Sequence, residues 1–193
     1  MIKPVGSDEL QPLFAYDPDK HHELMHEAES LPSVVISSQA AGNAVMMGGG
    51  YFTPLKGYMT VADAMGTCEN MRMADGTFFP VPVMCLLESV DAIKDAKRIA
   101  LRDPNMEGTP VLAVMDVEAI EEVSDEQMAY MTEKVYRTDD TEHPGVKAFN
   151  SQGRFAVSGP VQVLHFSYFQ DDFPDTFRTA VETRNEVAER GWK

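Results

Sequence analysis

The first pattern in this sequence that could support catalysis is a pair of histidines spaced for a zinc site. His22, Glu23 and His26 fit H-E-x-x-H, in which histidines one helical turn apart bind zinc and the glutamate acts as general base. A zinc protease also needs a third ligand, but residues 27–30 (Glu-Ala-Glu-Ser) supply no further histidine. We therefore favour a surface helix with two solvated histidines. A zinc hydrolase acting through His22 and His26 is kept as an alternative, which metal analysis of the purified protein would decide.

The other reactive residue types form no catalytic pattern. Cys68 and Cys85 are 17 residues apart without a C-x-x-C pair, so we interpret both as small core residues of a protein in a reducing cytoplasm. Three glycines at 48–50 lack the Gly-Lys-Ser/Thr ending of a phosphate-binding loop. His165 lies in an apolar run and is predicted to be a packed strand residue. Residue chemistry alone therefore predicts no catalytic, cofactor-binding or metal-binding residue.

The charge balance argues against two classes of partner. Sixteen Lys and Arg stand against 31 Asp and Glu, which gives a net charge of −15. A body this acidic repels nucleic-acid phosphates and anionic lipid headgroups, and the densest basic stretch, residues 94–102, is interleaved with aspartates. No run approaches the ~18 apolar residues of a membrane span, and the N-terminus lacks the apolar segment of a signal peptide. We predict a cytoplasmic globular protein that binds neither nucleic acid nor membrane.

Local patterns predict a strand-rich body with short helices, followed by one terminal helix. Asp17 and Pro18 start a helix to about residue 29, Thr60 caps a second helix, and Ser124 opens a third with a capping box. Thr179 opens the terminal helix in the same way, and Gly191 is its expected stop. At most one helical turn is predicted within 39–50, and Ser89 is predicted to cap a short helix to residue 96. The predicted strands are 33–37, 78–87, 98–101, 110–117, 154–157 and 161–166.

Five segments, in order along the chain, match the pattern of a known enzyme family. They are residues 31–40 (LPSVVISSQA) with Gly42 and Asn43, 50–59 (GYFTPLKGYM), 79–83 (FPVPV), 143–146 (HPGV) with Gly153 and Gly159, and 173–178 (FPDTFR) with 182–184 (ETR), Gly191 and Trp192. Together they resemble ATP sulfurylase, also called sulfate adenylyltransferase, and most of all the enzymes of sulfur-oxidising bacteria. The second segment is similar to the family's G-x-F-x-P-L-x-G-F-M, with Tyr58 in place of the usual phenylalanine.

This resemblance implies an α+β fold in two parts. Residues 1–172 would form a PUA-like mixed β-barrel with short helices, and residues 173–193 the first helix of an α/β nucleotidyltransferase domain. In the family, that catalytic domain carries a Gln-x-Arg-Asn motif for sulfate and phosphate and an H-x-x-H motif for the leaving pyrophosphate. Neither motif is found in this chain. Residues 182–185 (Glu-Thr-Arg-Asn) mimic the first motif, but a glutamate in place of glutamine opposes binding of a dianion.

The resemblance also implies a function for the parent enzyme. It joins ATP and sulfate into adenylyl sulfate and pyrophosphate, reversibly, with Mg-ATP as a substrate. We expect this chain to be non-catalytic alone, to hold no cofactor and to have the missing catalytic domain of the same enzyme as its partner. We also expect a homo-oligomer through an apolar stripe of the terminal helix, made of Val181, Val187 and Trp192. An RNA-binding PUA module is the second alternative, and the net charge opposes it.

Overall fold

The structure is a computed structural model that describes residues 3–192, in which short helices and strands alternate along the chain. The helices are α1 Pro18–Ala28, α2 Ser38–Gly48, α3 Val61–Asn70, α4 Asp125–Tyr136, α5 Pro144–Asn150, α6 Phe169–Asp172 and α7 Ala180–Glu189. The strands are β1 Ser33–Val35, β2 Gly57–Tyr58, β3 Leu86–Leu87, β4 Arg98–Arg102, β5 Val111–Asp116, β6 Ala119–Glu122 and β7 Phe155–Val163. None of the helices among these residues is long and apolar enough to cross a membrane.

The long strand β7 organises the sheet, because four other strands pair with it. Its first half pairs with β3 and β6, its second half with β5, and β2 joins at the middle, all antiparallel. Strand β4 extends the sheet from β5, and β1 completes it parallel to β4. Since the two halves of β7 pair with different strands, the sheet curls into a half-barrel. The predicted α+β fold with a mixed, barrel-like sheet is confirmed.

The bend of β7 lies at a glycine and a proline that sequence patterns assign to a turn. We predicted separate strands at 154–157 and 161–166, but the structure has one strand, Phe155–Val163. Gly159 has φ 143°, and a Cβ built there would lie 1.9 Å from the carbonyl oxygen of Asp116. Glycine therefore lets the strand pass close to β5 and continue, instead of ending.

Three groups of buried side chains hold helices against the curled sheet. The largest joins α2 to the sheet, the second joins α3, α4 and α5 to β3 and β7, and the third seats α1 on β4 and β5. Representative members are Ala44, Met47, Leu101, Met115 and Val163 in the first, Ala64, Leu86, Met128, Met131 and Phe149 in the second, and Leu24, Ala28, Ala100 and Val114 in the third.

The predicted helix starts are confirmed by their caps. The side chains of Asp17, Thr60, Ser124 and Thr179 each accept a hydrogen bond from a backbone N–H of the first helical turn. At Ser124 and Thr179 the reciprocal bond of a capping box is also present. These devices involve residues three apart, so the local sequence is sufficient to specify them.

Three other element predictions were wrong. Residues 38–48 form the full helix α2 where one turn was predicted, because its small side chains pack against the sheet. The strand predicted over 78–87 shortens to β3, Leu86–Leu87, since Pro80 and Pro82 supply no N–H for a ladder. Residues 91–95 form turns where a helix was predicted. The division of the chain into domains 1–172 and 173–193 stays a prediction. Residues 1, 2 and 193 of these domains lie outside the described part of the chain.

Candidate functional site

The two histidines of the zinc-like pattern lie on the solvent side of α1. His22 and His26 are exposed, while Leu24 and Ala28 of the same helix are fully buried against the sheet. Within residues 3–192, no three His, Cys, Asp or Glu side chains are grouped so that they could hold a metal ion. Helix α1 therefore presents two histidines one turn apart, and the structure places no third ligand of these types beside them.

The two thiols are held in their protonated form. Burial raises the pKa of Cys68 to about 11 and the pKa of Cys85 to about 12. Because the thiolate is the nucleophilic form of cysteine, neither side chain is activated for attack at neutral pH. Both are free thiols, and Cys85 belongs to the main core, as the sequence predicted.

His165 lies just beyond the end of β7 and is partly buried. Its Nδ1 accepts a hydrogen bond of 2.9 Å from the backbone N–H of Ser167. Burial lowers the pKa of His165, the nearby Asp103 acts to raise it, and His21 acts to lower it. The neutral imidazole with an occupied Nδ1 is a structural acceptor at the strand end, in a loop and not in the strand where the sequence predicted it.

The segment 50–59 (GYFTPLKGYM) is brought against residues 159 and 160 of β7. Gly57 pairs with Pro160, and a Cβ built on Gly57 would lie 1.9 Å from the carbonyl oxygen of Gly159. The next residue, Tyr58, is buried, and its hydroxyl donates a hydrogen bond of 2.7 Å to the carbonyl oxygen of Ala40 in α2. Burial raises the pKa of this phenol well above its ordinary value. Two segments that the sequence singled out thus meet in one structural contact.

The segment 31–40 takes part in a polar junction with the loop that precedes β7. The Ser37 hydroxyl donates to Oε1 of Gln152 at 2.8 Å, and Nε2 of Gln152 donates to Oε1 of Gln39 at 2.8 Å. A cleft of about 410 Å³ lies beside this junction, between β1 and β3. These bonds tie α2 to the loop that precedes β7, so we interpret the junction as structural.

A more apolar concavity of about 480 Å³ lies beside the loop that follows α2, and we call it the aromatic groove. Its walls come from four separate parts of the chain: the N-terminal arm, the loop after α2, the segment before β3, and the first turn of α7. The lining residues are Pro4, Val5, Leu10, Gly50, Tyr51, Phe52, Thr53, Phe78, Phe79, Pro80, Val81, Ala180, Thr183 and Arg184. Sequence reasoning missed this groove, although three of its four walls include residues of segments that carried the family resemblance.

The first turn of α7 is fixed to the groove by backbone and side-chain hydrogen bonds. The Ala180 N–H donates to the carbonyl oxygen of Gly49 at 2.8 Å. The Tyr51 hydroxyl lies 2.9 Å from the carbonyl oxygen of Arg178 and 3.0 Å from Oγ1 of Thr183. These bonds set the position of the terminal helix on the half-barrel.

The carboxylate of Glu182 is occupied as a helix cap. It accepts hydrogen bonds from the N–H of Thr179 at 2.7 Å and from the Thr179 hydroxyl at 2.8 Å. These bonds lower the pKa of Glu182, so it stays ionised at neutral pH. The Glu182 carboxylate is therefore a negatively charged cap at the N-terminus of α7.

Comparison with known proteins supplies a family and several relatives. The family model described as PUA-like domain matches residues 2–166. A sulfate adenylyltransferase of Allochromatium vinosum is 70% identical over 193 residues, which is 100% of this chain and 49% of the relative. A sulfate adenylyltransferase of the Riftia pachyptila sulfur-oxidizing endosymbiont is 73% identical over 192 residues, which is 100% of this chain and 44% of the relative.

A solved structure extends the similarity to three dimensions. The structure described as hexameric APS kinase from Thiobacillus denitrificans superposes with a TM-score of 0.72 and 26% identity, covering 100% of this chain and 32% of that one. The present chain spans about half the length of the curated relatives it matches.

Proposed function

The chain belongs to the family of PUA-like domains, and on that premise we propose that it serves as the non-catalytic N-terminal domain of a sulfate adenylyltransferase. The parent enzyme would convert ATP and sulfate into adenylyl sulfate and pyrophosphate, in either direction. The observation that carries this proposal is the identity of 70–73% to proteins of that name along the whole chain. The fold of the whole chain is also similar to about a third of a longer solved chain, which supports its role as one domain of a larger polypeptide.

The chemistry of the reaction supports the view that this domain does not catalyse it alone. Transfer between polyanionic substrates depends on cationic and imidazole groups placed around the developing charge. This chain has a net charge of −15. His22 and His26 of the zinc-like pattern are exposed on α1. The carboxylate of Glu182 is negatively charged and caps α7. We propose that the missing charge comes from the remaining half of the parent polypeptide.

The domain would instead provide a rigid support for that half. Helix α7 lies beyond residue 166, where the family match ends, yet Gly49 and Tyr51 hydrogen-bond to its first turn, and Tyr51 also bonds to Arg178 two residues before the helix. We propose that α7 is the first element of the catalytic domain and that these bonds fix its orientation. The partner of this chain would therefore be the continuation of its own polypeptide.

An activity comparison tests the proposal directly. Pyrophosphate-dependent formation of ATP from adenylyl sulfate would be measured for this chain and for the same chain continued by the remaining half of the Allochromatium vinosum relative, with that relative as positive control. We expect ATP formation by the extended chain and none by the 193-residue chain. Turnover by the short chain would refute its inactivity, and an inactive but folded extended chain would count against the assignment itself.

A further inference from the structure

Four exposed apolar side chains lie together around the aromatic groove. Val5 is 54% exposed, Tyr51 and Val81 are 43% exposed, and Phe78 is 40% exposed, and all four line the same concavity. Single exposed apolar residues are common on soluble proteins, whereas several around one groove mark a binding surface. The groove therefore has the composition of a site that is covered in the functional protein.

The floor of the groove is formed by packed aromatic rings, and its walls carry almost no charge. Phe79 is only 6% exposed, and its ring meets the Phe52 ring edge to face with centroids 5.7 Å apart. Arg184 is the one charged residue among those that line the groove in the described part of the chain. Such a surface favours an aliphatic or aromatic segment and disfavours a phosphate or an acidic peptide, because it offers little to replace the water around a charge.

We propose that the aromatic groove is the docking site for an apolar segment of the polypeptide half that follows this chain in its longer relatives. The inference rests on the proposed function and names the surface through which the two halves meet. The relatives are about twice as long as this chain, so an occupant of the same polypeptide is available at high effective concentration. One wall of the groove is α7, the element that lies beyond the family match.

A second copy of this chain fits the groove less well. Each copy has a net charge of −15, so two copies repel each other at low ionic strength. A segment of the same polypeptide does not have to overcome the repulsion between two separate chains, since it is covalently linked to α7. The charge of the body and the apolar groove together therefore favour the tethered occupant.

Hydroxyl-radical footprinting would test the proposal in solution, independently of catalysis. For Tyr51 and for Phe78 separately, the labelling in this chain would be compared with the labelling in the chain extended by the remaining half of the Allochromatium vinosum relative. We expect labelling of both residues to fall severalfold in the extended chain. Met25, which is 40% exposed on α1 away from the groove lining, should be labelled equally in both and serves as internal control.

Two substitutions make the test specific for the groove. In the extended chain, Val81→Asp introduces a charge into the groove and should restore the labelling of Tyr51, whereas Val35→Asp on the edge strand β1 should leave it low. Val35 is 52% exposed and Val81 is 43% exposed, so both variants replace an exposed valine. Equal labelling of Tyr51 and Phe78 in the short and the extended chain would overturn the proposal. Protection already present in the short chain at low salt and rising with its concentration would also overturn it, in favour of a second copy.

The two proposals fail separately. Protection of the groove in an extended chain without ATP-forming activity would retain the docking site and count against the sulfurylase assignment. Activity without protection would retain the assignment and refute the docking site.

Discussion

At Tyr58 the chain departs from the sulfurylase pattern by a single hydroxyl group, and the fold gives that group a partner. The family pattern has phenylalanine at this position, which would fill the same space without donating a hydrogen bond. In the structure the phenol is buried between β2 and α2 and donates to the carbonyl oxygen of Ala40. This contact joins residues 18 positions apart, so the sequence pattern could identify the substitution but not its partner.

Removing this hydroxyl should measurably weaken the contact between β2 and α2. We expect Tyr58→Phe to lower the free energy of unfolding by about 0.5–1.5 kcal/mol, the usual net value of a hydrogen bond within a protein. Urea unfolding of the 193-residue chain at neutral pH would measure the difference. Tyr130→Phe is the matched control, since the Tyr130 ring stacks with Lys134 and no hydrogen bond of its hydroxyl is seen in the described residues. Equal stability of wild type and Tyr58→Phe would contradict the argument.

The elements divide into those that local sequence specifies and those that packing decides. Helix caps at Asp17, Thr60, Ser124 and Thr179 were predictable because each depends on residues three positions apart. The length of α2 was not, since its alanines and glycines become helical against the sheet. The continuity of β7 was also missed, because it depends on β2, β5 and β6 arriving from distant parts of the chain.

The close approach of β2 to β7 gives a prediction at the scale of these elements. In Gly57→Ala the new methyl group would meet the carbonyl oxygen of Gly159 at 1.9 Å, and because that atom is backbone, the two strands must move apart. We expect a loss of about 1–3 kcal/mol in the free energy of unfolding, as for other overpacked sites. Thermal and urea unfolding would measure it.

A second glycine provides the control for this variant. Gly42 lies within α2 and has no atom within 4 Å of a Cβ built on it. Because alanine is the better helix former by about 1 kcal/mol, Gly42→Ala should leave stability unchanged or increase it by up to that amount. If Gly57→Ala were as stable as Gly42→Ala, the inferred strand contact would be wrong.

At the scale of the whole molecule, the sequence could predict the barrel-like fold but not the groove. The fold follows from segments whose likeness to a family runs along the entire chain, and the family match and relatives support that reading. The aromatic groove is assembled from residues near positions 5, 51, 80 and 183. No local period or spacing relates such distant residues, so their meeting emerges only once β7, α2 and α7 are in place.

The balance between surface charge and apolar surface decides whether the 193-residue chain self-associates. The apolar residues of the terminal helix, Val181, Val187 and Trp192, are called the α7 stripe. Val181 is 36% exposed and Trp192 is 61% exposed, while Val187 is partly buried. The net charge of −15 opposes contact between copies. Raising NaCl from about 0.01 M to about 1 M shortens the Debye length from about 30 Å to about 3 Å, which screens this repulsion. We therefore expect sedimentation to show monomers at low salt and a growing fraction of oligomers at high salt and high protein concentration.

The contribution of the α7 stripe to this association can be separated from that of other apolar surfaces. Val181→Ser combined with Trp192→Ser removes both exposed members of the stripe and should leave the chain monomeric at either salt concentration. Met25→Ser removes a comparably exposed side chain on α1 and should associate like the wild type. A wild-type chain that stays monomeric at high salt would contradict the prediction. Once salt screens the repulsion between copies, burial of the apolar stripe is the attraction expected to hold them together. Association that persists in the double variant would therefore show that another surface forms the contact.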